Sequence, residues 1–413
     1  MRHLFHLLLF LAFASFGQNQ TDRCATQFPA HSAPFETWLQ QKRASFRLDE
    51  EVVYTIPVVV HVLHLGEPIG QGSNLSLERI QSQIRILNED YRRKLGTRGY
   101  NTNPVGGDAR IEFVLAKTDP DGQPTDGIVR KEASQIPVLP GDANIIDYQA
   151  FHSYWDPERY LNIWSTSQYQ VGSFLGMAKF PLADLPGMSS WDDGHADGVT
   201  IDAEHFGEIT TTNYPYGRTG THEIGHFLGL LHTWGNADSG SESCSDATDY
   251  CEDTPPVNRS TSGCPSTPPL ACNGQGAMME NYMDYSYDRC MNIFTNDQIG
   301  RMRTVLENSP RRKSLLTSPA LNEPDPLSLT PPEKGWSVNV QEGQVIIEHP
   351  SLPVADVEAT CYSFSGTIIP VTIVSKSTTR VVAQLPASSE AVNVLRLRLG
   401  ATVYTKKIIK YGK

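Results

Sequence analysis

The chain is 413 residues long, 39% hydrophobic, and carries a formal charge of −12. That length exceeds one ordinary domain, and the apolar share can fill at least one sizeable core, so two folded units with processed ends are expected. The negative charge is spread without a block of one sign, which argues against a nucleic-acid partner and suits an acidic protein working outside the cell.

Residues 1–17 read as a secretory signal: Arg2 and His3 start it, an apolar run follows, and Ser15 and Gly17 supply the small residues of a cleavage site. The run is shorter than the roughly 20 residues of a membrane span, and no later stretch is long enough, so no transmembrane segment is expected. An N-terminal anchor is the competing reading. Residues 18–50 are polar, with Lys42, Arg43 and Arg47 offering processing sites, and read as a pro-segment. A β-branched run over 52–63 then predicts a strand buried on both faces and the start of a catalytic domain at 51–318.

Ser76 can cap a helix in which Leu77, Ile80, Ile84, Leu87 and Tyr91 recur at three- and four-residue steps. Strands are expected at 111–115, 160–164 and 198–201, which with the first gives a mixed α/β sheet. Thr295, with Gln298 three residues on, opens a closing helix over 295–306. Residues 319–335 are proline-rich without an apolar period and read as a linker. In 336–413, short apolar runs at 338–340, 344–347, 368–374, 380–385 and 392–399, separated by turn residues, predict a small all-β sandwich.

Five of the seven cysteines (Cys244, Cys251, Cys264, Cys272, Cys290) crowd one stretch, while Cys24 and Cys361 stand apart. In a chain with a secretory signal the crowded set reads as local disulfides. A second zinc site is the competing reading, although no C-x-x-C pair is present.

The decisive segment runs from Thr221 to His232. Residues four apart share a helix face, so His222 and His226 can present imidazoles to one metal while Glu223 points to its open position. Gly229 falls where the helix should end, and its conformational freedom lets the chain turn and return His232 as third ligand. Zinc so held brings the acidity of a water near neutrality, and Glu223 can take the proton and pass it to a departing amine. A buried helix with merely hydrogen-bonded histidines is the bland alternative, and the added Gly229 and His232 weigh against it.

This extended motif, followed by Asn281-Tyr282-Met283-Asp284-Tyr285, resembles the metzincins and among them the pappalysin family, especially its short bacterial members. The resemblance covers about residues 51–310 and implies a metzincin-type α/β catalytic domain acting on protein or peptide substrates. It implies that Met283 forms a turn beneath the metal and that the Tyr285 hydroxyl stabilises the tetrahedral intermediate. It implies a calcium site from Asp249, Asp253 and Thr254, and disulfides Cys264–Cys290 and Cys244–Cys272, with Cys251 able to replace Cys244.

Arg23-Cys24-Ala25 is similar to the family's cysteine switch, in which a thiolate fills the fourth zinc position of the latent form. Ala25 stands where the family usually has glycine, and a free Cys24 or a pair with Cys361 is the plainer reading. Family members that prefer arginine after the scissile bond carry an aspartate just before the last loop cysteine. Here that position is Arg289, so arginine preference is not expected to carry over and an acidic or polar side chain is favoured there instead, with Asp288 swinging inward or Arg289 extending into solvent as the competing readings.

The C-terminal stretch resembles sorting domains that engage type IX secretion machinery, with an accessory substrate-binding sandwich as the alternative. Rival functions are a zinc hydrolase of a non-protein amide or ester, and a silent metal-containing binding protein. Oligomeric state is not legible in the sequence.

Overall fold

The β-branched run at the start of the expected catalytic unit becomes β2 (Tyr54–His64), whose residues from Ile56 to Leu63 are covered on both faces. Such a run suits a strand with parallel neighbours on either side. β5 (Leu161–Thr166) pairs with it along one edge. On the other edge, β3 (Ile111–Leu115) takes the first half and β4 (Ile128–Glu132) the second, all in parallel. β7 (Gly198–Asp202) continues the sheet beside β5, and β6 (Phe174–Ala178) runs antiparallel to β7. Beyond β6 lies β1 (Asp22–Cys24), parallel to it, with Cys24 opposite Gly176. The result is a mixed seven-stranded sheet in the order β1-β6-β7-β5-β2-β3, with β4 beside β2.

This computed structural model describes residues 22–26, 33–45, 51–133, 153–167, 174–182, 185, 188, 196–210, 213–235, 244–245, 247–322, 337–341, 344–348, 358–363, 368–385, 392–399 and 402–409. The signal stretch 1–17 lies outside them, as does Arg47. Among the described residues no helix is long and apolar enough to cross a membrane.

The long helix expected after Ser76 is α2 (Leu77–Tyr91), and the Ser76 side chain accepts the Arg79 amide at 3.3 Å. It buries Ile80, Leu87 and Tyr91 in the core beneath the sheet. The motif helix, α3 (Arg218–Phe227), is buried along its whole length and packs on α2, β6 and β7. α4 (Asn296–Asn308) opens with the expected reciprocal cap of Thr295 and Gln298, and α5 (Pro310–Leu315) follows it. Within the polar stretch read as a pro-segment, the sequence reading missed both β1 and a helix, α1 (Ala33–Ser45), which packs on α4.

The expected linker begins later than its composition suggests. Pro319–Leu321 forms a 3-10 turn in which Ala320 is fully buried and its carbonyl accepts the Lys117 amide at 2.8 Å. A small residue between prolines and polar groups can enter a sheet edge without a visible apolar period. The stretch 323–336 lies outside the described residues.

The C-terminal part is two four-stranded antiparallel sheets. One comprises β8 (Ser337–Gln341), β9 (Gln344–Glu348), β12 (Thr372–Lys376) and β13 (Arg380–Gln384). The other comprises β10 (Glu358–Ser363), β11 (Ile368–Ile369), β14 (Val392–Leu399) and β15 (Thr402–Ile409). Val338, Ile347, Val381, Cys361 and Leu395 join them in one apolar cluster. The run expected at 368–374 is split at Pro370, which has no amide to give a ladder, and its halves join different sheets.

Candidate active site

α3 presents His222 and His226 on one face. After Leu228 the chain turns through Gly229, whose φ of +88 is open to glycine at little cost. An added Cβ there would stand 2.8 Å from Val305. The turn returns His232, and the three Nε2 atoms lie 3.0, 3.1 and 3.2 Å apart. Nitrogens about 2.0–2.1 Å from a tetrahedral zinc stand roughly 3.3 Å from one another, so the spacing is close to that of a metal triad.

Two rings are oriented from behind: Nδ1 of His222 lies 2.7 Å from the Tyr282 carbonyl and Nδ1 of His226 lies 2.8 Å from the Leu230 carbonyl. Each can only donate to its carbonyl, which leaves Nε2 as a bare acceptor. Burial pushes His226 down to about 3; burial and the neighbouring imidazoles push His222 and His232 well down. Three neutral nitrogens aimed at one another repel unless a cation lies between them. The site therefore fits a metal, and nitrogen donors with a sulfur suit zinc.

Two buried arginines shape the end of the helix. Arg312 Nε donates to the Phe227 carbonyl at 2.9 Å, and its guanidinium lies 3.5 Å above the Phe227 ring, paired with Asp197. Arg301 Nε donates to the Gly229 carbonyl at 2.6 Å. Neither was singled out from the sequence, because they lie 72 and 85 residues from the carbonyls they hold.

Cys24 joins the three histidines: one donor atom from each of the four residues lies within 4.8 Å of the others. The Cys24 sulfur is 3.4 Å from Glu223 Oε2, which also accepts the Thr26 hydroxyl at 2.9 Å. Burial and the Glu223 carboxylate push the Cys24 thiol well up, so a cation among the imidazoles is what would hold it as thiolate. Glu223 Oε1 is buried without a hydrogen-bond partner, and burial pushes the carboxyl up to about 8, against the hydrogen bonds of Thr26 and Cys24. β6 crosses directly over this residue. A Cβ on Gly176 would stand 2.6 Å from Glu223 Cγ.

Met283 is fully buried under α3, and a Cβ on Gly225 would meet its sulfur at 2.5 Å. The Met283 amide donates to Asn281 Oδ1 at 2.9 Å, tightening the turn that also offers the Tyr282 carbonyl to His222. The Tyr285 ring lies 5.0 Å from that of His232 and 5.8 Å from that of His222. Trp234, unnoticed in the sequence, stacks on His232 at 4.3 Å and meets Tyr285 edge-on at 4.7 Å.

Arg289 is exposed and lies over the Tyr287 ring, whereas Asp288 beside it is fully buried. Asp288 Oδ2 accepts the amides of Tyr216 and Arg218 at 2.9 and 3.3 Å, which turns Oδ1 toward Arg23 at 3.7 Å. Burial still pushes its carboxyl up, with Arg23 pulling the other way. The Arg23 guanidinium lies 4.6 Å over the Tyr214 ring, donates to the Ser286 carbonyl and sits 3.2 Å from the Met291 sulfur. A 3-10 turn over Asp288–Cys290 is what swings the aspartate inward and its neighbour outward.

Both disulfides take the pairing the resemblance implied, Cys244–Cys272 and Cys264–Cys290. Cys251 does not replace Cys244; it is a free buried thiol, while Cys24 and Cys361 are also unbridged. Between Cys244 and Cys264, Asp249 Oδ1 accepts the Thr254 hydroxyl at 2.6 Å and the Cys251 amide at 3.1 Å. Its Oδ2 and Asp253 Oδ1 are buried without partners, and burial pushes the Asp249 carboxyl up to about 7. Among the described residues only the histidine and cysteine group brings three or more donors into metal-binding range.

The profile of the peptidase M43 family, described as pregnancy-associated plasma protein-A, matches residues 144–307. An extracellular metalloprotease of Arthroderma otae is 33% identical over 248 residues, covering 60% of this chain and 76% of the relative. Among solved structures, a promirolysin mutant of Tannerella forsythia is 33% identical with a TM-score of 0.61, covering 74% of this chain and all of that one. Mature mirolysin of the same organism, in complex with a cleaved peptide, is 36% identical with a TM-score of 0.56, covering 67% and 99%.

Proposed function

The chain belongs to the pappalysin family of metzincin metalloproteases, peptidase M43, and on that premise we propose that it is a secreted zinc endopeptidase made as a zymogen, with Glu223 as general base. The family makes it a metalloendopeptidase. The convergence of three neutral imidazole nitrogens beside an unpartnered, buried carboxylate oxygen carries the finer reading.

His222, His226 and His232 would hold the zinc, which when bound supplies Lewis acidity that brings a water's proton loss near neutral pH. Glu223 Oε1 takes that proton and returns it to the departing amine. A cation among the imidazoles would draw this buried carboxyl back toward its ionised form, as a proton acceptor requires. Tyr285, packed against two of the histidines, is the donor proposed for the developing oxyanion, and Met283 is the support beneath them. Digestion of casein with and without 1,10-phenanthroline, followed by zinc addition, tests the reading. Hydrolysis that ignores the chelator would count against it.

In the zymogen form proposed for residues 18–50, Cys24 occupies the metal's fourth position and Arg23 fills the pocket floored by Asp288. That cation in that pocket supports a preference for a basic side chain next to the scissile bond, on the side where the family reads arginine. This replaces the opposite expectation drawn from Arg289. Peptides are the proposed substrates, in keeping with the cleaved peptide held by mature mirolysin in its complex.

The orphaned oxygens of Asp249 and Asp253, with Thr254, support a calcium ion in the loop after the zinc motif. Export after cleavage of 1–17, a catalytic unit spanning 51–318, and a C-terminal sandwich that engages type IX secretion machinery complete the proposal. Deleting 336–413 without effect on export would remove the last of these.

A further inference from the structure

α1 is not part of the plug over the metal. β1 reaches the metal group through Cys24, whereas α1 seats on the far side of the turn that follows α3, pressed on Gly229, α4 and the segment carrying Phe180. Phe35 and Leu39 are fully buried; Phe35 meets the Phe180 ring edge-on at 4.9 Å, and its tip lies 3.3 Å from where a Cβ on Gly229 would stand. Between them Glu36, 4% exposed, takes both Nη atoms of Arg301, one at 2.5 Å.

The same guanidinium donates through Nε to the Gly229 carbonyl, and its carbon lies 5.6 Å over the Phe35 ring. A two-pronged carboxylate contact in a closed apolar setting fixes direction as well as position. Asp249, the other acidic neighbour of Arg301, is already engaged by Thr254 and the Cys251 amide. Lys42 and Arg43, candidate processing positions, fall in the last turn of α1, and Arg43 pairs with Asp297 at 2.9 Å.

We propose that this seat is a second peptide-binding site, separate from the catalytic cleft, that recognises an amphipathic helix bearing an aromatic residue, a carboxylate directly after it and a leucine three residues further on. Its occupant is the chain's own 33–45 segment, which stays bound after the chain is cut because its anchor owes nothing to the Cys24 thiol. The bound helix supports the turn that delivers His232, by holding Arg301 on the Gly229 carbonyl, and does not obstruct substrate. The proposal rests on the zymogen reading for its cut, but the seat itself is testable in the uncut chain.

Hydrogen exchange of the full chain separates the two anchors. Glu36→Gln should speed exchange of the 33–45 amides at least tenfold while 22–26 keeps its protection, and Cys24→Ala should do the reverse. A Glu36→Gln chain that exchanges like the parent, or a Cys24→Ala chain that frees both segments together, overturns the proposal. After processing and extended dialysis to remove the cut 33–45 segment, a fluorescent 33–45 peptide should bind saturably, should not be displaced by a hydroxamate aimed at the metal, and should bind at least tenfold more weakly with Gln at position 36. Loss of binding on adding the hydroxamate overturns the separate site. Activity that is equal before and after processing sinks the zymogen reading alone, and the exchange result then decides the seat.

Discussion

Arg23 and Asp288, 265 positions apart in the chain, meet at 3.7 Å with both side chains closed to solvent. Replacing Asp288 with Asn should keep the acceptor for the Tyr216 and Arg218 amides while removing the charge that faces the pocket. Preference for arginine or lysine after the cut bond should then drop roughly 10- to 100-fold in kcat/KM, the scale of a lost charge-assisted contact. Arg289→Ala should leave the preference alone. A peptide library profiled with both variants decides; an Asp288→Asn enzyme as basic in taste as the parent refutes the assignment.

Glu223→Gln should abolish digestion while the chain still carries one zinc, measured by elemental analysis, because the three histidines are untouched and only the proton acceptor is gone. Turnover within tenfold of the parent would show that another group takes the proton.

Cys24→Ala removes the sulfur from the metal group and loosens residues 22–26, so that Arg23 occupies its pocket only part of the time, while α1 stays on its seat. The precursor should therefore show early activity on a short fluorogenic peptide, at a level below that of the fully processed enzyme. A precursor as silent as the parent would shift the whole of latency to the other contacts.

Acid should weaken the fold through His61. Burial pushes this imidazole down to about 4, between the Ser153 hydroxyl at 2.7 Å and Asn162 Oδ1 at 2.9 Å. The unfolded chain binds its proton from about 6.5 downward and the folded chain only near 4, so stability falls as pH drops through that window and is unaffected above it. The loss is about 3 kcal/mol at most. His61→Gln should flatten the slope of denaturation midpoint against pH by a corresponding amount, and a slope equal to the parent's would refute the account.

Withdrawing calcium with a selective chelator should lower Tm by several degrees if Asp249 and Asp253 hold the ion, and Asp249→Asn should remove the sensitivity. A Tm indifferent to both leaves the loop a solvated acidic turn.

The convergence of the three histidines was legible because it is local: helix periodicity places His222 and His226, and one glycine returns His232. The capped ends of α2 and α4 were legible for the same reason, a serine or threonine at a fixed offset from the helix. What escaped depends on distant chain. Whether position 288 or 289 faces the pocket is set by a single 3-10 turn, and a one-residue choice of that kind leaves no mark in composition. β6 escaped because its five residues show no alternation and carry a glycine at the centre, which weakens a strand signal, although a glycine is what the close passage over Glu223 requires. Arg301 and Arg312 escaped because buried arginines read like surface ones until their carbonyl partners are known.

The two arginines behind α3 also set an order of events during synthesis. The histidine motif is complete once residue 232 has been made, yet the carbonyls of Phe227 and Gly229 are held by side chains from positions 301 and 312. On a ribosome adding about 5–20 residues each second, several seconds separate the ligands from the groups that shape them. Cys24, made long before either, is already at hand when the site closes, so under the proposed zymogen reading the nascent protease need never pass through an unguarded active state.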